Sequence, residues 1–399
     1  MKFAKKYVLN VVLILAIMVM VAASACETKY VPSEADKKTL QNLPSEFLML
    51  GQAWQLLQKN FVDRTKLDPL KMAQGAIRGM VEATGDPYTE YYTPQSYQST
   101  MVELTGVYQG IGAYIGKKDK QIVIIAPMKG SPAEEAGLKT GDAILKINGE
   151  STEMMNSDDA SMKIRGKAGT KVDLVIGRQG VNEPIEISVE RREIRIDSIA
   201  LDMKGKIAHI KIQQFILPTT SDFRAALQTA FNQGAKGIIL DLRNNPGGIL
   251  DQAVDVASQF LLRGIVVKVV DKDGIETVHK VRPGGMAINT PLIVLVNEGS
   301  ASASEIVAGA LQDNGRAKLA GTKTFGKASV QNIVKMDDGS AIKITTAHYY
   351  TPDGKMISGQ GLTPDYPLDL KDDELVKWAE DYLNKIIEGQ AVTSGSAPR

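Results

Sequence analysis

Three short stretches of the chain combine residue types and spacings that could do chemistry. In Val294-Leu295-Val296-Asn297-Glu298-Gly299-Ser300-Ala301-Ser302-Ala303-Ser304-Glu305 an apolar strand runs into a small-residue turn, and a helix begins. Small side chains let a substrate approach the backbone closely. A serine in the first helical turn sits where free N–H groups and the positive helix end stabilise developing negative charge. Serine is equally a favoured N-cap, and spacing alone does not separate Ser300, Ser302 and Ser304. The second stretch is Gly326-Lys327-Ala328-Ser329-Val330-Gln331. A lysine becomes a general base only where burial or neighbouring charge depresses its pKa. Each unit of depression costs ~1.4 kcal/mol, so the surroundings must be rigid. Gln331 lies four residues on, on the same face in helix or strand, where its amide could orient the amine. The third stretch is Leu240-Asp241-Leu242-Arg243-Asn244-Asn245-Pro246-Gly247-Gly248, a strand ending in a turn. Its paired glycines leave backbone N–H groups uncovered, as an oxyanion donor requires.

Composition removes several alternatives. Lys and Arg number 47 against 46 Asp and Glu, a net charge of +1, so the basic excess of a nucleic-acid-binding surface is absent. The single cysteine, Cys26, excludes an intrachain disulfide framework and Cys-based metal sites. The chain has only three histidines, His209, His279 and His348, so a His-rich metal site is not expected. Gly321 to Lys327 superficially fits a phosphate loop. Ala328 stands where that loop needs Ser or Thr for magnesium, and a strand rather than a helix follows.

These stretches need elements to carry them. A length of 399 residues predicts two or three domains. Residues 44–105 read as helical: Phe47, Leu50, Trp54, Leu57 and Phe61 form an amphipathic stripe, and Asp68-Pro69 starts a second helix. Residues 106–192 carry short β-like runs at 121–126, 143–147, 172–176 and 185–189, with a capped helix start at Ser131-Pro132. Beyond Ile194, strands at 206–212, 237–242 and 291–296 alternate with helices at 221–233, 250–262 and 302–312, which argues for an α/β core. An amphipathic helix over 372–388 follows, then a small, polar tail.

Taken together, these segments resemble the carboxyl-terminal processing peptidases, or tail-specific proteases, a family of Ser/Lys-dyad endopeptidases with a PDZ domain. The resemblance runs from about Phe47 to Leu370. It rests on Asp86-Pro87-Tyr88-Thr89, on Gly110-Ile111-Gly112-Ala113, and on Ser131 to Leu138 with Gly141-Asp142-Ala143-Ile144. It continues through Asp241 to Gly248, Ser302 to Ile306, Gly326 to Gln331, Tyr349 to Pro352 and Gly361 to Asp365. The resemblance implies Ser302 as nucleophile, Lys327 as base and Gln331 as its orienting partner. It implies oxyanion donors from the backbone of Ala303 and of Gly247 or Gly248, with Gly248 favoured. Gly110, Ile111, Gly112 and Ala113 would bind a peptide's C-terminal carboxylate. Glu305 belongs to the motif without a role assigned.

The expected architecture is multidomain α/β. Residues 1–25 form a signal peptide or membrane anchor, 26–43 a tether and 44–105 a helical N-terminal region. A PDZ domain at 106–192 precedes a serine protease core at 193–370, a C-terminal helix at 371–388 and a disordered tail at 389–399. Lys2, Lys5 and Lys6 before an apolar run ending in Ala23-Ser24-Ala25 imply export. Cys26 directly follows and makes the junction similar to a bacterial lipoprotein box, with Ala23 where that box usually carries Leu. The apolar run is also nearly long enough for an anchor. The expected partners are proteins or peptides with exposed C-termini, the membrane through an anchor or lipid, and a regulatory protein. The helical stripes fit homodimerisation or intramolecular packing equally well. Two other readings stay open: a PDZ adaptor whose protease-like core only scaffolds a partner, and a Ser-His-Asp hydrolase.

Overall fold

The computed structural model describes residues 43–389 and the two-residue strand Thr28–Lys29, apart from residues 119, 120, 129, 154 and 156. The expected export segment, Cys26 and the tail beyond residue 389 lie outside the described residues. The chain forms two compact units: one joins the residues up to Met101 with those from Lys236 onward, and the other is Val102–Ala235.

The first unit is built on a parallel sheet. Strands Gly237–Asp241, Leu292–Val296, Lys318–Gly321 and Tyr366–Pro367 lie side by side in that order. Every residue of the first two is buried, which explains their unbroken apolar sequences: a parallel strand covered on both faces has no polar side to show. Helix Asp372–Ile387 packs on these two strands. The buried Asp241 carboxylate pairs with Arg243 at 2.6 Å, and Arg243 also reaches Asp372 at 2.9 Å, tying the strand's end to the start of that helix.

A second, antiparallel sheet places Ser329–Lys335 beside Ala341–Tyr350, then Ile265–Asp271 and Glu276–Lys280. The short strand Glu90–Tyr92 adds to Ala341–Tyr350. Helix Ala303–Asp313 touches Lys318–Gly321 of one sheet and Ile265–Asp271 of the other, and Leu250–Ser258 packs beside it. With two sheets to contact, the helix Ala303–Asp313 is buried from Ala303 to Leu311. The sequence suggests strand at His348 but does not mark the strands Ile265–Asp271 and Glu276–Lys280, whose residues mix charged and apolar types without clean alternation.

The second unit contains strands Ala113–Lys118, Gln121–Pro127, Ala143–Ile147, Lys171–Gly177 and Ile185–Glu190. The last four fall where the short β-like runs were expected. Ile111, Ile122, Ile124, Ile144, Leu174 and Ile176 are among its fully buried side chains. Ser131 caps helix Pro132–Glu135 through its Oγ, as the Ser-Pro start predicts. The same unit includes the hairpin Ile199–Lys204 with Ile207–Ile212 and helix Thr219–Asn232.

Towards the N-terminus, helix Pro69–Glu82 begins at Asp68, whose carboxylate accepts from the N–H groups of Leu70 and Lys71. Helix Leu48–Asn60 buries none of its residues.

Candidate active site

All three chemistry-bearing stretches leave the C-terminal ends of adjacent parallel strands: Leu242–Gly248 after Asp241, Asn297–Ser302 after Val296, and Thr322–Lys327 after Gly321. Open α/β sheets assemble ligand sites at this end. Separations of about 25 to 55 residues along the chain thus close to neighbouring loops.

The loops are stitched directly. The Asn297 side chain accepts from Asn244 N at 2.8 Å and donates to Asn244 Oδ1 at 2.9 Å. Ala301 N–H donates to Asn245 O at 3.0 Å. Gly247 has a φ of +103°, and a Cβ there would stand 2.8 Å from Ser302 Cβ and 2.9 Å from Ala303 N. Only glycine lets the turn close against the serine.

The three serines have different fates. Ser300 is buried, donates to Leu242 O at 2.8 Å and accepts from Asn297 N at 2.9 Å. Ser304 is buried and donates to Asn245 O at 2.9 Å. Ser302 is half-buried at the N-cap of helix Ala303–Asp313, with φ +53° and ψ −113°. That conformation costs about 1–3 kcal/mol for a non-glycine residue and is of the kind that collects at functional sites. Gly247 N–H is engaged by Asn245 Oδ1 at 2.9 Å, whereas Gly248 is exposed.

Glu305, whose role the sequence leaves open, joins the loops. Its fully buried carboxylate accepts from Ser302 N at 3.0 Å, Thr324 Oγ1 at 2.6 Å, Gly326 N at 2.8 Å and Lys327 N at 3.0 Å. Burial nonetheless pushes its pKa up, against the pull of those donors. The buried Tyr349 hydroxyl lies 2.5 Å from Lys327 O and 3.2 Å from Ser302 O. Burial, with Glu305 beside it, raises the Tyr349 pKa well above the ordinary phenol value. Neither role is visible in the sequence: Glu305 reads as a first-turn acid, and Tyr349 is remote along the chain.

Lys327 is half-buried, and its pKa is lowered by burial first and by the Lys343 charge second, with Asp86 opposing. Gln331 donates to Ser329 Oγ at 2.8 Å and Thr345 Oγ1 at 3.1 Å. Among the described residues no hydrogen bond joins it to Lys327. Lys327 lies in the loop before strand Ser329–Lys335, so the same-face spacing of a shared strand does not apply, and a register shift with Thr346 as the extra residue of the partner strand opposes Gln331 to Thr345.

In the other unit, Gly110 ends strand Val107–Gly110 and Ala113 opens Ala113–Lys118. The buried Ile111 and Gly112 lie between them. Ile111, Gly112 and Ala113, with Tyr108 and Arg165, line a cavity of about 40 Å³. The Arg165 guanidinium stacks 5.0 Å from the Tyr108 ring centroid and brings a positive charge that the sequence reading did not single out. Among the described residues there is no cluster of His, Cys, Asp and Glu that could hold a metal ion. No helix among them is long and apolar enough to cross a membrane.

Residues 206–368 match Peptidase family S41, residues 123–178 match a PDZ domain, and residues 10–95 match the activating protease CtpB N-terminal domain. The chain is 38% identical over 338 residues to the carboxy-terminal processing protease CtpA of Bacillus subtilis (strain 168), covering 84% of this chain and 72% of that protein. It is 41% identical over 308 residues to a probable CtpA-like serine protease of Staphylococcus aureus (strain COL), covering 76% of this chain and 61% of that relative's length. Among solved structures, the photosystem II D1 C-terminal processing protease aligns with a TM-score of 0.49 and 30% identity, over 84% of this chain and 97% of that one. By its likeness to the Bacillus protein over most of both lengths, the chain belongs to the carboxy-terminal processing serine proteases of peptidase family S41.

Proposed function

We propose that the protein is a Ser/Lys-dyad endopeptidase of the extracytoplasmic space that cuts protein substrates in or near their C-terminal regions. One observation carries the choice of nucleophile. Ser300 and Ser304 are buried with their hydroxyls donated to carbonyls, whereas Ser302 stands half-exposed on a strained turn against Gly247.

In this reading Ser302 Oγ attacks the scissile carbonyl while the neutral Lys327 amine takes its proton. The oxyanion is received by the N–H groups of Ala303 and Gly248, since Gly247 N–H already serves Asn245. The Lys327 ammonium then protonates the leaving amine as the C–N bond breaks. Water, deprotonated by Lys327, releases the acyl group and restores Ser302. The Gln331 amide nitrogen is held by Ser329 and Thr345, which leaves its oxygen as the atom that would orient Lys327 once the amine turns towards it. The mechanism needs no metal or cofactor.

The PDZ loop Gly110–Ala113 captures the substrate's free carboxylate, with Arg165 as the nearby cation. Export rests on the N-terminal lysines, the apolar run and Cys26. The N-terminal peptide mass of chain recovered from a bacterial host separates signal cleavage, lipidation at Cys26 and a retained anchor. A regulatory protein that acts on the PDZ domain fits the same reading.

The test uses an unfolded protein substrate and its C-terminally amidated form, followed by intact mass. The chain should cleave the free form faster, and Ser302→Ala and Lys327→Ala should cleave neither. Retained cleavage in Lys327→Ala would overturn the dyad, and equal rates on the two substrates would overturn carboxylate capture.

A further inference from the structure

The ring of Tyr88 stands over the amine of Lys327, with Nζ 4.6 Å from the ring centroid. Tyr88 belongs to the segment between helix Pro69–Glu82 and strand Glu90–Tyr92, far from the catalytic stretches in sequence. That segment is fixed from two sides. The Asp86 carboxylate accepts from Tyr88 N at 3.1 Å and from Thr89 Oγ1 at 2.6 Å, and Thr89 Oγ1 accepts from Thr345 N at 3.1 Å. On the other side, strand Glu90–Tyr92 pairs with residues 341–343, and Glu90 binds Lys343 at 2.9 Å. The half-buried ring is therefore held where it is by its own backbone.

We propose that Tyr88 is a positioning residue for Lys327. Its ring face places the amine and stabilises the ammonium formed when Lys327 takes the serine proton. The proposal rests on Lys327 being the base. A cation is attracted to an aromatic face, whereas a neutral amine gains little there. The ring's contribution therefore grows as the proton arrives, which lowers the barrier rather than merely binding the resting side chain. The ring face meets the amine, so phenylalanine would serve.

The other charged and titratable groups around Lys327 are Asp86 and Glu90 from the same segment, Lys343 and Tyr349 from strand Ala341–Tyr350, and Glu305 from helix Ala303–Asp313. All are retained when only Tyr88 is changed, so Leu and Phe variants isolate the ring.

The experiment measures acylation of the full chain by a fluorophosphonate, read by intact mass across roughly pH 5 to 10, beside peptide cleavage kinetics. Tyr88→Leu should acylate about tenfold more slowly. Its acidic limb should move to lower pH, because a stabiliser of the ammonium is gone, and kcat should fall with KM unchanged. Tyr88→Met, a second replacement without a ring, should behave alike, while Tyr88→Phe should stay within about twofold of the parent. A parental rate and limb in the Leu and Met variants would overturn the proposal. So would a Phe variant as slow as Leu, since the hydroxyl rather than the ring would then be at work. Lys327→Ala and Ser302→Ala run in parallel. If Lys327→Ala acylates at the parental rate, the dyad itself falls and Tyr88 with it. If only the Tyr88 variants match the parent, the dyad stands and this proposal alone fails.

Discussion

A lysine serves as a base only in the fraction of molecules in which it is neutral, so the charges around Lys327 set the working pH in the proposed mechanism. Burial and the Lys343 cation lower its pKa, and Asp86 works against them. Activity should therefore rise as pH rises through the depressed Lys327 pKa. Lys343→Met removes a positive neighbour, which makes the Lys327 ammonium easier to keep and moves the acidic limb of kcat/KM to higher pH. The readout is the position of the limb rather than the height of the plateau, because Lys343 also holds Glu90 at 2.9 Å in the segment that carries Tyr88. A pH–rate profile of the variant beside the parent checks the sign.

Helix Ala303–Asp313 and the Thr322–Lys327 loop are joined through a single carboxylate. Glu305 accepts two bonds from the Lys327 loop's backbone, one from Thr324 and one from the serine's own N–H. Glutamine has the same shape but turns one acceptor oxygen into a donor, which would face N–H and O–H donors. Hydrogen bonds to a charged group are worth about 1.5–3 kcal/mol each. Glu305→Gln should therefore lower kcat at least about tenfold and reduce thermal stability. Cleavage kinetics with a melting curve separate the two effects.

The catalytic strands and helices were legible as elements because each is an apolar run bounded by turn residues: Gly237–Asp241, Leu292–Val296 and Ala303–Asp313 fall within a residue or two of their expected positions. Helix Leu250–Ser258 ends four residues earlier than its periodicity suggested. The bulged pairing at Gln331 was not legible, since register is a property of two strands rather than one.

At the scale of the whole chain, the N-terminal helix leaves an apolar stripe without cover among the described residues. Leu48, Leu50 and Leu56 are each more than half exposed, and Phe47, Leu57 and Phe61 are also exposed. Such a stripe suits either a second copy or another part of the same chain, and sedimentation separates the two: Leu50→Asp with Leu57→Asp lowers the sedimenting mass in the first case and lowers the melting temperature without changing the mass in the second.

Sequence alone determined the list of chemical groups: three serines in one turn, a lysine after a glycine, a glycine pair after a buried strand, and the absence of cysteine and histidine clusters. Such local patterns follow from hydrophobic runs, caps and turn residues, which act over a few neighbours. Tertiary structure decided which serine keeps an exposed position, because Ser300 and Ser304 find their acceptors at Leu242 and Asn245, some 58 and 59 residues away. It also decided that Glu305 bridges two loops and that Tyr88 covers Lys327 from 239 residues earlier in the chain. Parallel strand pairing brings the three loops together at the strands' C-terminal ends, antiparallel pairing of Glu90–Tyr92 with residues 341–343 brings Tyr88 to Lys327, and no short window of sequence carries either pairing.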